Sequence, residues 1–95
     1  MDEVEQISKY LKAVADPTRL KIIELLNSNK PLCVNAIARR LNLTQSAISQ
    51  HLRILRQLNL VNGNKMGYHV HYQVNNNEMA KFNTLFSEFF SKKLL

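Results

Sequence analysis

The chain of 95 residues has room for one domain around a small core, with too little interior for a comfortable monomer, so a second copy is an expected partner. Thirteen Lys and Arg against seven Asp and Glu leave a formal +6, which draws the chain to polyanions before any specific contact forms. A single cysteine, Cys33, excludes an intramolecular disulfide framework, no apolar run is long enough to span a membrane, and Met1-Asp2-Glu3 is acidic where a signal peptide is basic; the reading is a cytoplasmic protein with no membrane partner.

Pro17, Pro31, Gly63 and Gly67 are the only Pro and Gly, and they fall where breaks are needed. From Val4, the residues Ile7, Leu11 and Val14 follow at spacings of three, four and three, the seam of a helix built to pack on another helix, over about 3–15. Asp16-Pro17-Thr18 restarts the chain: Asp16 suits an N-cap, Pro17 suits the first helical position, and Leu20, Ile23 and Leu26 continue an apolar face to about Ser28. A turn through Pro31 and a short extended piece at Leu32-Cys33 lead to a third helix from Val34 to Leu41, with Ile37 and Leu41 inward and Arg39 and Arg40 outward.

Asn42-Leu43 leaves space only for a sharp turn before Thr44, which is helix-turn-helix spacing. Thr44 can cap a fourth helix over about 45–58, whose Ile48, Leu52 and Leu55 recur on one side. The other side carries Gln45, Ser46, Ser49, Gln50 and Arg53, the amides, hydroxyls and guanidinium that hydrogen-bond base edges and phosphates. Beyond Leu60 the period becomes alternating. Leu60-Val61 begins a strand, Asn62 to Gly67 reads as a loop rich in turn residues, and Tyr68, Val70, Tyr72 and Val74 alternate with His69, His71 and Gln73, a hairpin wing over about 60–74. A last helix over about 77–93 carries Met79, Phe82, Phe86 and Phe89 at three, four and three, with Leu85 and Phe90 beside them, and closes on Lys92 and Lys93, which complement its negative end.

The fold class that follows is mainly α with a small β-hairpin: a winged helix-turn-helix in the order α-α-α-α-β-β-α, one domain over 1–95, dimerising through its first and last helices. Val4, Ile7, Leu11, Met79, Phe82, Phe86 and Phe89 are the expected interface; the alternative is that both seams close the subunit's own core. The expected partner is double-stranded DNA, with Gln45, Ser46, Ser49 and Gln50 reading bases and Thr44, Arg39, Arg40, Arg53, Lys65 and His69, with Arg56 as a further candidate, on phosphates. Recognition helices in successive major grooves, about 34–36 Å apart, imply an inverted-repeat operator. Arg19 is read as support for the second helix and His51 as a hydrogen-bonding residue at the edge of the core.

These stretches resemble the ArsR/SmtB family of winged helix-turn-helix repressors, the arsenic- and zinc-responsive regulators. The resemblance lies in residues 11–20 (Leu11-Lys12-Ala13-Val14-Ala15-Asp16-Pro17-Thr18-Arg19-Leu20), in 44–52 (Thr44-Gln45-Ser46-Ala47-Ile48-Ser49-Gln50-His51-Leu52), and in the wing from Gly67 to Val74. It implies a homodimer joined through its first and last helices that blocks transcription until an inducer loosens it. Departures from the family pattern bear on the inducer. Where members carry a Leu-Cys-Val-Cys stretch at the third helix, this chain reads Leu32-Cys33-Val34-Asn35, and Asn35 is a poor ligand for soft metals. The last helix has Glu78 and Glu88 but no His for the family's Asp/His site, and one cysteine cannot form an intrasubunit disulfide. No metal or other cofactor is therefore assigned, and the small-molecule or ionic inducer stays unnamed.

Three alternatives remain beside this reading. Cys33 is either a buried packing residue or a sensor thiol, and His69 with His71 either hold a metal or lie beside phosphate. A winged helix that docks on another protein through Phe82, Phe86 and Phe89 is the remaining rival, and it has no use for +6 or for the polar face of the fourth helix. An enzyme is excluded: there is no glycine-rich phosphate loop, no paired carboxylates in a cleft motif and no base placed for Cys33.

Overall fold

Four side-chain caps set where the helices begin. Asp2 accepts from the Glu5 N–H at 2.8 Å, Asp16 from Arg19 at 3.0 Å, Thr44 from Ala47 at 3.1 Å and Asn75 from Glu78 at 3.2 Å, each satisfying a donor that the first helical turn leaves free. The computed structural model describes the backbone of residues 2–94 and the side chains of 2–91. Met1, Leu95 and the side chains of Lys92, Lys93 and Leu94 lie outside the described residues. The helices and strands are α1 (Glu3–Val14), α2 (Pro17–Asn27), β1 (Leu32–Cys33), α3 (Val34–Leu41), α4 (Gln45–Gln57), β2 (Val61–Met66), β3 (His69–Val74) and α5 (Asn76–Leu94). No helix among the described residues is long and apolar enough to cross a membrane.

The α3–α4 turn is made by Asn42, held in the left-handed conformation at φ 56°, with the Leu43 N–H returning to the Ala38 carbonyl at 3.0 Å. Asn59 repeats the device after α4 at φ 59°, with Leu60 N–H on the Leu55 carbonyl at 3.0 Å. Asparagine is among the few residues that tolerate this backbone, so two sharp exits flank α4 without glycine.

Three expectations change. The extended piece at Leu32-Cys33 is a third strand: it pairs antiparallel with β3, Leu32 opposite Tyr72 and Cys33 opposite His71, giving sheet order β1-β3-β2 and the chain order α-α-β-α-α-β-β-α. The stretch Asn62 to Met66 is strand rather than loop, paired from Val61–Val74 through Met66–His69. Its turn residues suggested a loop, but the cross-strand ladder satisfies their backbone groups. Only Gly67-Tyr68 turns, with Gly67 at φ 68° in the first central position of a two-residue hairpin. Leu20 is 52% exposed, because the buried side of α2 is set by Ile22 and Leu26 four apart, and Leu20 stands about 200° round the helix from Ile22.

The core gathers Ile22, Ile37, Ile48, Leu52, Leu55, Leu60 and Val61, all essentially sealed from water, with Tyr72 of β3 closing it from the sheet side. The expected stripe of α4 is thus the centre of the domain. Removing any of its Leu or Ile side chains to Ala would cost about 2–5 kcal/mol. The wing leaves the body as it lengthens: Tyr72 is buried, Val74 is half-buried, Val70 is 40% exposed and Tyr68 is fully exposed at the tip.

Candidate nucleic-acid interface

With Ile48, Leu52 and Leu55 locked in the core, the 3.6-residue repeat turns Ser46, Ser49, Gln50 and Arg53 to the opposite side of α4, with Gln45 at its edge. All five are exposed. Their side chains hold no hydrogen-bond partner among the described residues, so their donors and acceptors are available to another molecule. Thr44 spends its hydroxyl oxygen on the Ala47 N–H, which fixes the start of this face.

The expected phosphate ligands fall into two groups. Arg39, Arg53, Lys65 and His69 are exposed and uncommitted among the described residues. Arg40 donates to the Asn29 side chain at 2.7 Å and so also braces the α2–α3 turn. Arg56 lies over the Tyr72 ring, 5.9 Å from its centre, a cation–π contact that ties the last turn of α4 to the wing. Lys65 and His69 sit towards the tip of the hairpin, on β2 and β3 respectively.

Behind α4 lies a polar network with no signature in the spacing of the chain. Arg19 donates through Nε to the Ala13 carbonyl at 2.5 Å and through Nη2 to Lys12 at 3.3 Å, and its Nη1 lies 3.1 Å from His51 Nδ1. A guanidinium only donates, so Nδ1 is the acceptor and the neutral His51 ring carries its proton on Nε2. Asp16 Oδ2 stands 3.9 Å from the same Nδ1. The Arg19 backbone N–H, and then the Arg19 charge, hold the Asp16 carboxyl below the usual carboxylate range. Arg19 and His51 thus have the structural roles expected of them, joined in one network.

The two expected dimer seams are only partly open. Ile7 is 4% exposed within one subunit, so it leaves the expected interface set: its neighbours already cover it. Met79 and Phe82 pack against the core, and Phe82 stacks on Tyr10 with ring centres 5.2 Å apart. The Tyr10 hydroxyl donates to Glu78, tying α1 to α5 inside the subunit and raising the Tyr10 pKa to about 12. Val4 (61% exposed) and Phe86 (40%) are left outward, with Leu11 and Phe89 half-buried.

Cys33 is half-buried at the α2–α3 junction, opposite His71. His71 Nδ1 lies 3.3 Å from the His69 carbonyl, and no group of three or more His, Cys, Asp or Glu able to hold a metal forms among the described residues.

A family model described as "Bacterial regulatory protein, arsR family" matches residues 16–63, from the cap of α2 into β2. The chain is 34% identical over 79 residues to the transcriptional repressor SmtB homolog of Synechocystis, which covers 83% of this chain and 59% of that protein. It is 44% identical over 69 residues to the transcriptional activator HlyU of Vibrio cholerae, 73% of this chain and 63% of that one, so the matched part is under two thirds of either relative. Among solved structures it superposes, at a TM-score of 0.74 and 25% identity over 97% of this chain and 84% of the other, on the homodimeric winged helix-turn-helix DNA-binding domain of a possible ArsR-family regulator from Mycobacterium bovis.

Proposed function

This chain belongs to the arsR family of bacterial regulatory proteins, and from that membership we propose that it works as a homodimeric repressor that reads an inverted-repeat operator. The observation that carries the reading is the two-sided character of α4: one side is sealed in the core, and the other presents five polar side chains with no partner among the described residues. Ser49 and Gln50 read base edges in the major groove, where a glutamine amide can make a bidentate contact with adenine worth about 1–3 kcal/mol of discrimination. Thr44, Arg39, Arg53, Lys65 and His69 position the helix on the phosphates, and the hairpin from Val61 to Val74 reaches over the flanking backbone. Arg40 and Arg56 add charge from their braced positions.

Two subunits join through Val4 and Leu11 on α1 and Phe86 and Phe89 on α5; that the Mycobacterium bovis domain is homodimeric supports a dimer. The relatives include a repressor and an activator. Repression is the assignment here, because named repressors from Synechocystis, Bacillus subtilis and Escherichia coli are among the relatives. The whole of residues 1–95 acts as one DNA-binding unit.

The test is a fluorescence titration of operator against random duplex. Replacing Ser49 and Gln50 together by Ala removes the preference for operator while non-specific binding survives. A double variant that kept full preference would remove both residues from the base-reading set.

A further inference from the structure

Between α1 and the C-terminal half of α4 runs a groove of about 430 Å³, a size ordinary for small-molecule sites. Ala13, Ile54 and Leu58 make it apolar, and Lys9, Lys12 and Arg19 line it with positive charge; no Asp or Glu does. Ile54 is 37% exposed, the one large aliphatic side chain that α4 leaves to solvent. The Arg19 guanidinium is held in place by the carbonyls of Ala13 and Lys12, so one cation is fixed at that end before any ligand arrives.

We propose that this groove binds an anionic amphiphile, a monocarboxylate with a medium-length aliphatic body, and that its occupancy weakens DNA binding. The complementarity is one of charge and polarity together. A free inorganic anion would leave the apolar surface unused, and a neutral hydrocarbon would leave Lys9 and Lys12 without a counterion. The orientation follows from the surroundings. A neighbouring hollow continues the groove and shares Lys9, Gln57 and Leu58 with it; Glu78 offsets the Lys9 charge at that end, so a carboxylate settles towards Lys12 and Arg19, its body over Ile54 and Leu58.

The groove is open in the dimer proposed above. At about 100° per residue, Lys9 stands about 140° round α1 from Val4, well away from the seam. It is also next to the reading face: Ile54 follows Arg53 and lies one turn after Gln50, and Gln57 lines the groove. A bound carboxylate cancels positive potential beside the phosphate path, and its body wedges α1 from α4. This regulatory step rests on the DNA-binding reading; binding of the amphiphile does not.

The experiment is an NMR titration of the full chain with sodium octanoate, following methyl signals, with 1-octanol as the uncharged comparator. Octanoate is expected to shift Ile54 and Leu58 saturably, to bind about tenfold more tightly than 1-octanol, and to lose about tenfold in affinity in K9Q/K12Q, whose substitutions are both at exposed positions. No saturable shift, shifts centred on Phe86, or equal binding by K9Q/K12Q would overturn the site. Octanoate at about five times the parent's Kd is then expected to weaken operator binding of the parent several-fold and that of K9Q/K12Q by less than about twofold. A filled groove with unchanged operator affinity overturns the regulatory step. A chain that binds octanoate in the groove and no DNA at all overturns the proposed function and leaves the site standing.

Discussion

The Arg19 guanidinium and the His51 ring meet at 3.1 Å, Nη1 to Nδ1, across 32 residues of chain. Because the same guanidinium also holds the Ala13 and Lys12 carbonyls, one side chain joins the end of α1 and the start of α2 to α4. Arg19→Ala should therefore cost about 1.5–3 kcal/mol, the range for hydrogen bonds to a charged group. Arg19→Lys should restore little, since an ammonium lacks the planar fork that reaches three acceptors. Urea unfolding measures both, and a loss within about 0.5 kcal/mol would show that the network is idle.

Acid and alkali should weaken the fold through two different groups. Asp16 titrates below its ordinary 3.8 in the folded state, so its contribution is present above that value and is lost as the pH falls through the folded pKa. Asp16→Asn keeps a capping oxygen but not the charge, and should make the acid limb of the stability profile shallower. Tyr10 is the reverse case: its pKa is raised from 10.0 to about 12, so its contribution is present below 10 and is lost as the pH rises through about 12. Tyr10→Phe should flatten the profile in that window. A limb unchanged in either variant would assign the pH dependence elsewhere.

The two glycines of the wing should fail differently when changed to alanine. Gly67 has open space around it but sits at φ 68°, so Gly67→Ala should cost about 1–2 kcal/mol from backbone strain alone. A Cβ on Gly63 would stand 2.9 Å from Tyr72 Cε1 and 3.0 Å from Val70 Cγ1. Gly63→Ala should then displace the Tyr72 ring from the core, with an overpacking cost of about 1–3 kcal/mol. Thermal unfolding gives the losses, and ring signals of Tyr72 that move in Gly67→Ala but not in Gly63→Ala would reverse the assignment.

Lys65→Ala should weaken binding to every DNA sequence alike and reduce the slope of log affinity against log salt by about one unit. Sequence preference should be untouched. A slope equal to that of the parent protein would take Lys65 off the phosphates.

Phe82 and Phe86 are one turn apart on α5 and should separate folding from assembly. Phe82→Ser removes the ring stacked on Tyr10 and should destabilise the subunit itself. Phe86→Asp combined with Val4→Asp puts charge on the outward part of the seam, and should yield a folded monomer with much weaker operator binding. Sedimentation of the parent as a monomer would end the dimer account.

Much of this is legible in the sequence, for reasons specific to each element. Asp16-Pro17 and Thr44 announce helix starts because capping is a local interaction, and both caps form as expected. The stripe of Ile48, Leu52 and Leu55 follows from helical period alone. The β1 strand was not legible as such, because two residues carry no period and their pairing with Tyr72 and His71 is 40 and 38 positions away in sequence. The bonds from Tyr10 to Glu78 and from Arg19 to His51 escaped for the same reason. The seams were overread: Ile7 and Phe82 keep the spacing of a partner surface yet meet their partners within the subunit. The polar face of α4 was the reverse case, read in full because helical period brings it together whatever the rest of the chain does.

The central claim is that two such faces, held in one dimer, read an inverted repeat. Selection of duplexes bound by the full chain from a random pool tests it most directly. The account predicts an enriched palindrome with half-sites whose centres lie about 10–10.5 base pairs apart, lost when Ser49 and Gln50 are alanine. A pool that stays random, or one that enriches a single unrepeated site, would contradict it.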